Sequence, residues 1–283
     1  MQIYNKLPHA EADDLPAPEV GDWGLQKYMR LWNYLVIFTT GMKSKHDTRV
    51  YLDLYAGAGK AILKNSREWV LGSPLLALSV RDRFDKYIFC DQNEKNIVGL
   101  TERVQRTAPD ADVTILQGDA YRLAPRLREL LPAERALTFC FADPFDLRFR
   151  FHTIRQIADG RKMDLLILLA VNMDGQRNVP HYEDPKNDKI DRLLGNPNWR
   201  PEWDNVKSKG VPFPRFLADE FTASMVKIGY ERPEERDFQQ VTRNEGTNQS
   251  LYYLAFYSKH PRGYDFWRKA IGSSTEQRSL FDP

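Results

Sequence analysis

Two cysteines, Cys90 and Cys140, are too few for a disulfide framework, and each lies within an apolar run that reads as a buried strand. Packing as small hydrophobes is expected of them rather than redox or metal work. The five histidines, His9, His46, His152, His181 and His260, are scattered without metal-ligand spacing, so no metal site is expected. No apolar stretch approaches the roughly 18 to 20 residues that a membrane helix requires, and no secretory leader opens the chain. A soluble cytoplasmic protein with no membrane partner is the expectation. Excess charge is lacking as well: 41 basic against 39 acidic residues leave a formal charge of +2. That balance neither demands nor excludes a nucleic acid, because a local basic face can hide inside a balanced total. No nucleophile-elbow or phosphate-loop pattern, internal repeat or long low-complexity tract occurs.

What is present is enough apolar material, 42% of 283 residues, to bury one sizeable core, and one domain with an insertion is expected over two equal domains. Residues 1–48 read as an extended arm followed by an amphipathic helix, Trp23 to Phe38, with Leu25, Tyr28, Met29, Trp32, Leu35 and Val36 at helical spacing and Gly41 ending it. Residues 49–172 read as alternating strands and helices. The strands are Arg49 to Tyr55, Lys86 to Cys90, Asp112 to Leu116, Ala136 to Phe141 and Asp164 to Val171; the helices are Leu75 to Arg83, Glu94 to Thr107 and Tyr121 to Leu131. The last strand is continuously apolar and so expected to be buried on both faces. Residues 173–212, with Trp199, Trp203, several prolines and a short helical stretch near Asp188 to Leu194, are too long for an ordinary connection and read as a functional insertion or substrate lid. Residues 213–283 complete the core with a helix, Pro214 to Ile228, and a hairpin, Asp237 to Arg243 and Leu251 to Ser258, turning through Asn244-Glu245-Gly246. Such an order predicts an α/β, Rossmann-like fold of the class I methyltransferase type: a mostly parallel seven-stranded sheet whose last strand enters antiparallel.

The most informative stretch is Tyr51 to Gly59, Y-L-D-L-Y-A-G-A-G: a strand, an acid at its end, and two glycines one residue apart. Glycine lets the backbone turn sharply and approach a ligand, and the helix that follows offers unpaired N–H groups. A carboxylate at that rim, Asp53, repels pyrophosphate and attracts an amino group. The pocket therefore favours a zwitterionic ligand such as S-adenosylmethionine over a dinucleotide. Four of five strands present an acid at or just past their C-terminal ends, Asp53, Asp91, Asp119 and Asp143, and in an open α/β sheet those ends line one crevice. Asp91 either accepts from both ribose hydroxyls or is a solvated turn residue. Asp119 is placed to accept from the adenine amine, with the Ala120 N–H near the ring, or to cap the helix from Tyr121, and the two roles are compatible. In Asp143-Pro144-Phe145 a carboxylate and the proline carbonyl can accept the protons of a weakly nucleophilic ring amine while the aromatic ring stacks on the base. The alternative is a polar strand end followed by a turn. Aromatic and basic residues also mix in Asn198 to Lys209 and in Tyr257 to Lys269. Such mixtures hold phosphates and stack bases, but amphipathic helix faces and solvated loops are the favoured reading.

With these residues laid out, the chain resembles the three-Cys-motif partner family, TcmP. The resemblance rests on Lys27, Leu31 and Tyr34-Leu35 in the first helix, Gly41-Met42-Lys43, Tyr51 to Gly59, Gly72-Ser73-Pro74-Leu75, Asp91, Gly118-Asp119, Asp143-Pro144-Phe145, Tyr252-Tyr253-Leu254 and Phe266-Trp267. The family is named for a neighbouring radical-SAM-like protein, so the resemblance implies a three-Cys-motif protein as a partner. The ribosomal RNA adenine-N6 methyltransferases of the RlmJ type are similar in the glycine turn and the delayed Gly-Ser-Pro helix start, which implies that Ser73 and Lys27 touch the methyl donor's carboxylate end. Those enzymes carry Asp-Pro-Pro-Tyr. The transfer RNA guanine-N2 methyltransferases, with Asp-Pro-Phe-Gly, are similar to Asp143-Pro144-Phe145-Asp146 except that Asp146 replaces the glycine. The expectation is an S-adenosylmethionine-dependent methyltransferase acting on an exocyclic amine of a nucleic acid base. Lys27, Asp53, Tyr55, Gly57, Gly59, Ser73, Asp91, Gln92, Asp119 and Ala120 would hold the donor, and Asp143, Pro144 and Phe145 would work on the acceptor. The alternative is a non-catalytic binding protein that keeps the fold and works with the three-Cys-motif protein.

Overall fold

The chain begins with an arm that does not stay extended in isolation. In a computed structural model describing residues 6–171, 178–242 and 250–272, it leads into a two-residue strand, β1 (Glu19–Val20), and then α1 (Gly24–Met42). There follow β2 (Thr48–Asp53), β3 (Lys60–Leu63), β4 (Trp69–Leu71), α2 (Ser73–Ser79), β5 (Lys86–Asp91), α3 (Glu94–Thr107), β6 (Val113–Gln117), α4 (Ala120–Leu130), β7 (Ala136–Ala142), α5 (Phe151–Ala158) and β8 (Met163–Leu169). Three short helices come next, α6 (Val179–Glu183), α7 (Lys189–Leu194) and α8 (Trp199–Lys207). The chain then forms α9 (Phe213–Lys227), a 3-10 turn, β9 (Phe238–Thr242), β10 (Ser250–Tyr257) and α10 (Pro261–Ile271).

Seven strands form one sheet in the order β6-β5-β2-β7-β8-β10-β9. The pairs β5·β6, β2·β5, β2·β7 and β7·β8 are parallel, and β10 runs antiparallel to both β8 and β9. This is the expected class I methyltransferase arrangement. From β2 the chain steps outward to β5 and β6, then returns to the other side of β2 with β7 and β8. The C-terminal end of β2 is therefore the topological switch point, where open α/β sheets bind ligands.

Alternation along the strands feeds two cores. Val50, Leu52, Ile88, Cys90 and Cys140 face α4, α5 and α9, whereas Tyr51, Tyr87, Phe89, Phe139 and Phe141 face α1, α2 and α10. Both cysteines are buried and unpaired. Every residue of β8 is buried, as its unbroken apolar run predicts.

Several local expectations change. Gly41 does not end α1, which continues to Met42. A Cβ there would come within 2.6 Å of the Phe266 ring, so the glycine lets α10 pack against α1. The stretch Lys60 to Leu71 that delays the helix is a hairpin, β3 antiparallel to β4, to which β1 adds in parallel. The helix after it begins at Ser73, two residues earlier than expected, with Pro74 in its first turn. A further helix, α5, lies between β7 and β8, and α6 and α8 flank the one short helix foreseen after β8. There Trp199 and Trp203 are buried, their indole N–H groups donating to Asp191 (2.7 Å) and Glu183 (2.8 Å). In the second basic and aromatic tract Tyr264 and Trp267 are likewise core residues, which is the amphipathic-helix outcome. The Asn244-Glu245-Gly246 turn lies outside the described residues. Among the described residues no helix is long and apolar enough to cross a membrane.

Candidate functional site at the sheet's switch point

A cavity of about 290 Å³ opens where β2, β5 and β7 end. Its wall on one side is the glycine loop. Gly57 and Gly59 have φ of +62° and +84°, conformations in which an L side chain is strained, and a Cβ on Gly57 would meet nothing within 4 Å. The loop's backbone is thus the surface that a ligand would touch. On the other side stand Pro18, Glu19, Val20 and Gly21, so the N-terminal arm is a wall of the site.

Asp91 binds the loop directly. One carboxylate oxygen accepts the Gly57 N–H at 2.8 Å; the other accepts from the Asn93 N–H (2.8 Å) and the Asn96 side-chain amide (3.1 Å). Two oxygens offer about four lone-pair directions, so an acceptor position remains on the oxygen that faces Gly57 and the cavity. The ribose-binding role expected of Asp91 fits that placement.

Asp53 behaves differently. Its carboxyl is fully buried and does not line the cavity. It accepts from the Tyr51 hydroxyl (3.1 Å) and the Tyr55 N–H (3.2 Å) and interacts with the Ser73 side chain. Burial pushes its pKa up to about 7, against the hydrogen bonds that lower it. In place of an exposed charge at the rim, Asp53 braces the start of the loop from beneath. A folded-state pKa raised this far favours the fold most below the unfolded carboxyl's pKa, and that contribution is lost as pH rises through about 7. Wild type should therefore lose stability relative to Asp53→Asn between pH 4 and pH 7. Urea melts of both proteins at intervals across that window test this, and parallel curves would refute it.

Lys27 projects from α1 to the far side of the cavity and forms an ion pair with Asp143. It also lies over the Tyr28 ring, 4.7 Å from its centroid. Burial by itself would lower the ammonium's pKa, but Asp143, with Tyr28 and Tyr252 adding to it, holds the pKa above the ordinary lysine value. The carboxylate expected to work on an acceptor therefore already holds one N–H donor. Pro144 and Phe145 line the same cavity, and Phe145 is 83% exposed. An aromatic ring left in water beside a cavity is a ready stacking surface.

Of the residues expected at the site, Lys27, Tyr55, Gly57, Gly59, Ser73, Asp91, Asp143, Pro144 and Phe145 line one cavity. Gln92 and Asp119 are exposed and outside it, and Ala120 is buried in the core under α4. Asp119 caps α4, accepting the Arg122 N–H at 3.1 Å, which is the cap reading of that residue.

Arg103, on α3, was not expected. It is 1% exposed, and its guanidinium donates to the Ala58 carbonyl of the glycine loop (2.6 Å). It also donates to the Pro16 and Leu15 carbonyls (3.0 and 3.1 Å) and to both oxygens of Asp13 (2.9 and 2.6 Å). It ties the arm to the loop. A signal was available: Arg103 follows Leu100 by three residues and precedes Val104, on the helix's buried face. Lys60 adds a second tie to Asp13 at 2.9 Å.

No family model matches the chain and no curated protein matches it, so the resemblance to the three-Cys-motif partner family rests on the residues that carry it. Among solved structures the chain is similar to a Legionella pneumophila protein of the family model DUF519, 11% identical with a TM-score of 0.49, the match covering 85% of this chain and 88% of that one. Another is magnesium protoporphyrin IX methyltransferase of Synechocystis with bound SAM, 10% identical, TM-score 0.43, covering 84% and 80%. A third is a methyltransferase of Geobacter sulfurreducens, 10% identical, TM-score 0.37, covering 82% and 77%.

Proposed function

We propose that the chain is an S-adenosylmethionine-dependent methyltransferase acting on an exocyclic amine of a nucleic acid base. The observation that carries this reading is that one cavity at the switch point holds the open glycine loop, Asp91, and Asp143-Pro144 with a solvent-facing Phe145. The donor, when bound, would supply an electrophilic methyl group on a sulfonium, the S–CH3 bond breaking with its electron pair left on sulfur as a neutral thioether. Asp91 and the Gly57 to Gly59 backbone would hold its nucleoside part. Asp143 would accept one N–H of the acceptor amine and take up the proton released as the new N–C bond forms, while the Pro144 carbonyl accepts the other N–H. Phe145 would stack on the ring, and alignment of amine and methyl group would supply most of the acceleration.

Calorimetry with S-adenosylmethionine, followed by methyl transfer to total cellular RNA and to DNA, tests the proposal. Donor binding with no transfer to either would refute the assigned acceptor. Phe145→Ala should raise KM for a base-containing acceptor by about ten- to a hundredfold, the worth of one stacked base. Because the ring is in solvent, donor affinity and melting temperature should not move. An unchanged KM removes Phe145 from the acceptor site.

The Lys27–Asp143 ion pair favours a second reading, in which the carboxylate is occupied and the chain binds the donor as a non-catalytic partner of the three-Cys-motif protein. Donor binding without transfer, together with co-purification of that protein, would support it.

A further inference from the structure

At the opposite edge of the sheet, where β7 and β8 begin and β10 ends, a second cavity of about 270 Å³ is present. Met42, Leu137 and Phe266 give it an apolar side, Lys45, Lys162, Lys259 and Arg262 give it cationic walls, and His46 and His260 add two imidazoles. Its one acidic lining residue, Asp164, is buried and accepts from the Tyr34 hydroxyl (2.9 Å) and the Ser258 hydroxyl (2.6 Å). Lys259 is committed to the Ala158 and Arg161 carbonyls at 2.9 and 3.2 Å. Among the described residues no carboxylate pairs with Lys45, Lys162 or Arg262.

Two further features bear on what the cavity holds. His260 Nδ1 accepts the Arg262 N–H at 3.1 Å, capping α10, so the neutral ring carries its proton on Nε2 as a donor. Burial pushes the His46 imidazole down and Lys162 pushes it the same way, with Asp47 opposing them. The tract Tyr257 to Lys269, read from sequence as a mixture able to hold phosphates and stack bases, is divided by the fold. Tyr264 and Trp267 are sealed in the core, while Lys259, His260 and Arg262 reach this cavity. What remains is the phosphate-holding half without the stacking half.

We propose that this cavity binds a phosphomonoester, its dianionic head held by Lys45, Lys162 and Arg262 and its apolar body resting on Met42, Leu137 and Phe266. Three cations that pair with no carboxylate among the described residues match a dianion with three acceptor oxygens better than a carboxylate, which brings one charge and two. The proposal does not depend on the methyltransferase reading, because the two cavities share no lining residue.

The test uses the full chain and the His46 imidazole resonances, titrated with phenyl phosphate, inorganic phosphate and benzoate against sodium chloride at matched ionic strength. Phenyl phosphate should raise the His46 pKa by about half a pH unit or more. It should bind at least about tenfold more tightly than inorganic phosphate, through burial of the ring. Lys162→Met with Arg262→Met should weaken it by about tenfold or more with the melting temperature unchanged, since both side chains are at the surface. An equal response to chloride, equal affinity for benzoate or inorganic phosphate, or undiminished affinity in the double variant would each overturn the proposal.

Discussion

Asp143→Asn is expected to slow methyl transfer by about a hundred- to ten-thousandfold, the usual worth of a positioned proton acceptor, while donor affinity stays within about threefold. The substitution keeps the shape and leaves an amide oxygen for the Lys27 ammonium, so the cavity should not collapse. What it removes is the charge that offsets Lys27 in a buried position and that, on the proposed reading, takes the amine's proton. Lys27 burial also makes a second result specific to this pair. On the proposed reading the acceptor amine must share or displace the lysine in wild type, whereas in Asp143→Asn the ammonium loses its counter-charge and its pKa falls. Lys27→Met in the wild-type background should then lower transfer less than Asp143→Asn, and the double variant should be no worse than Asp143→Asn alone, because the two act as one unit. Single-turnover rates at saturating donor read this out. A rate for Asp143→Asn within about tenfold of wild type would remove Asp143 from the chemistry.

Much of this site could be read from residues in order, because each is tied to a strand end. Asp91, Asp143 and the two glycines follow directly from where apolar runs stop, and a parallel sheet brings those ends to one edge whatever the intervening helices do. Asp53 obeys the same rule, yet its carboxyl turns inward. Whether a strand-end acid faces ligand or core depends on the pleat and on the donors the fold brings to it, here the Tyr51 hydroxyl two residues back and the Ser73 side chain beyond the hairpin. Asp119 shows two compatible roles that sequence leaves open: a helix begins one residue later and one carboxylate oxygen caps it, while the side chain stands outside the cavity. The hairpin β3–β4 escaped because its strands have four and three residues, too short for an alternating pattern to register. The arm's role escaped for a different reason. Proline and acidic residues read as an unattached segment until a cation elsewhere is known to receive them, and Asp13 meets Arg103 ninety positions away.

That arm carries the last expectation, the loss of Arg103. Arg103→Ala should cost about 3 kcal/mol of stability or more, since it removes the donor of three backbone carbonyls and the larger part of the charge facing Asp13. It frees the carbonyls of Leu15, Pro16 and Ala58 and leaves Asp13 with only Lys60 and the Leu15 N–H. Ala58 sits between the two glycines that line the switch-point cavity, and Pro18 to Gly21 form the facing wall, so the same change should loosen both sides of the pocket. Donor affinity is expected to fall by at least about tenfold, even though Arg103 itself does not line the cavity. Arg103→Lys restores the charge but not the five-donor fork, and should recover part of the stability with little of the affinity. Acid supplies an independent check. The Arg103 hydrogen bond, with Lys60 adding to it, holds the Asp13 carboxyl well below the usual carboxylate range. The stability it contributes is therefore present above the unfolded carboxyl's pKa and lost as pH falls through the depressed one. Wild type and Arg103→Ala should thus differ in stability at pH 7 and converge toward strong acid. Equal donor affinity in the two proteins at neutral pH would mean that the arm and the glycine loop are held together by something other than this arginine.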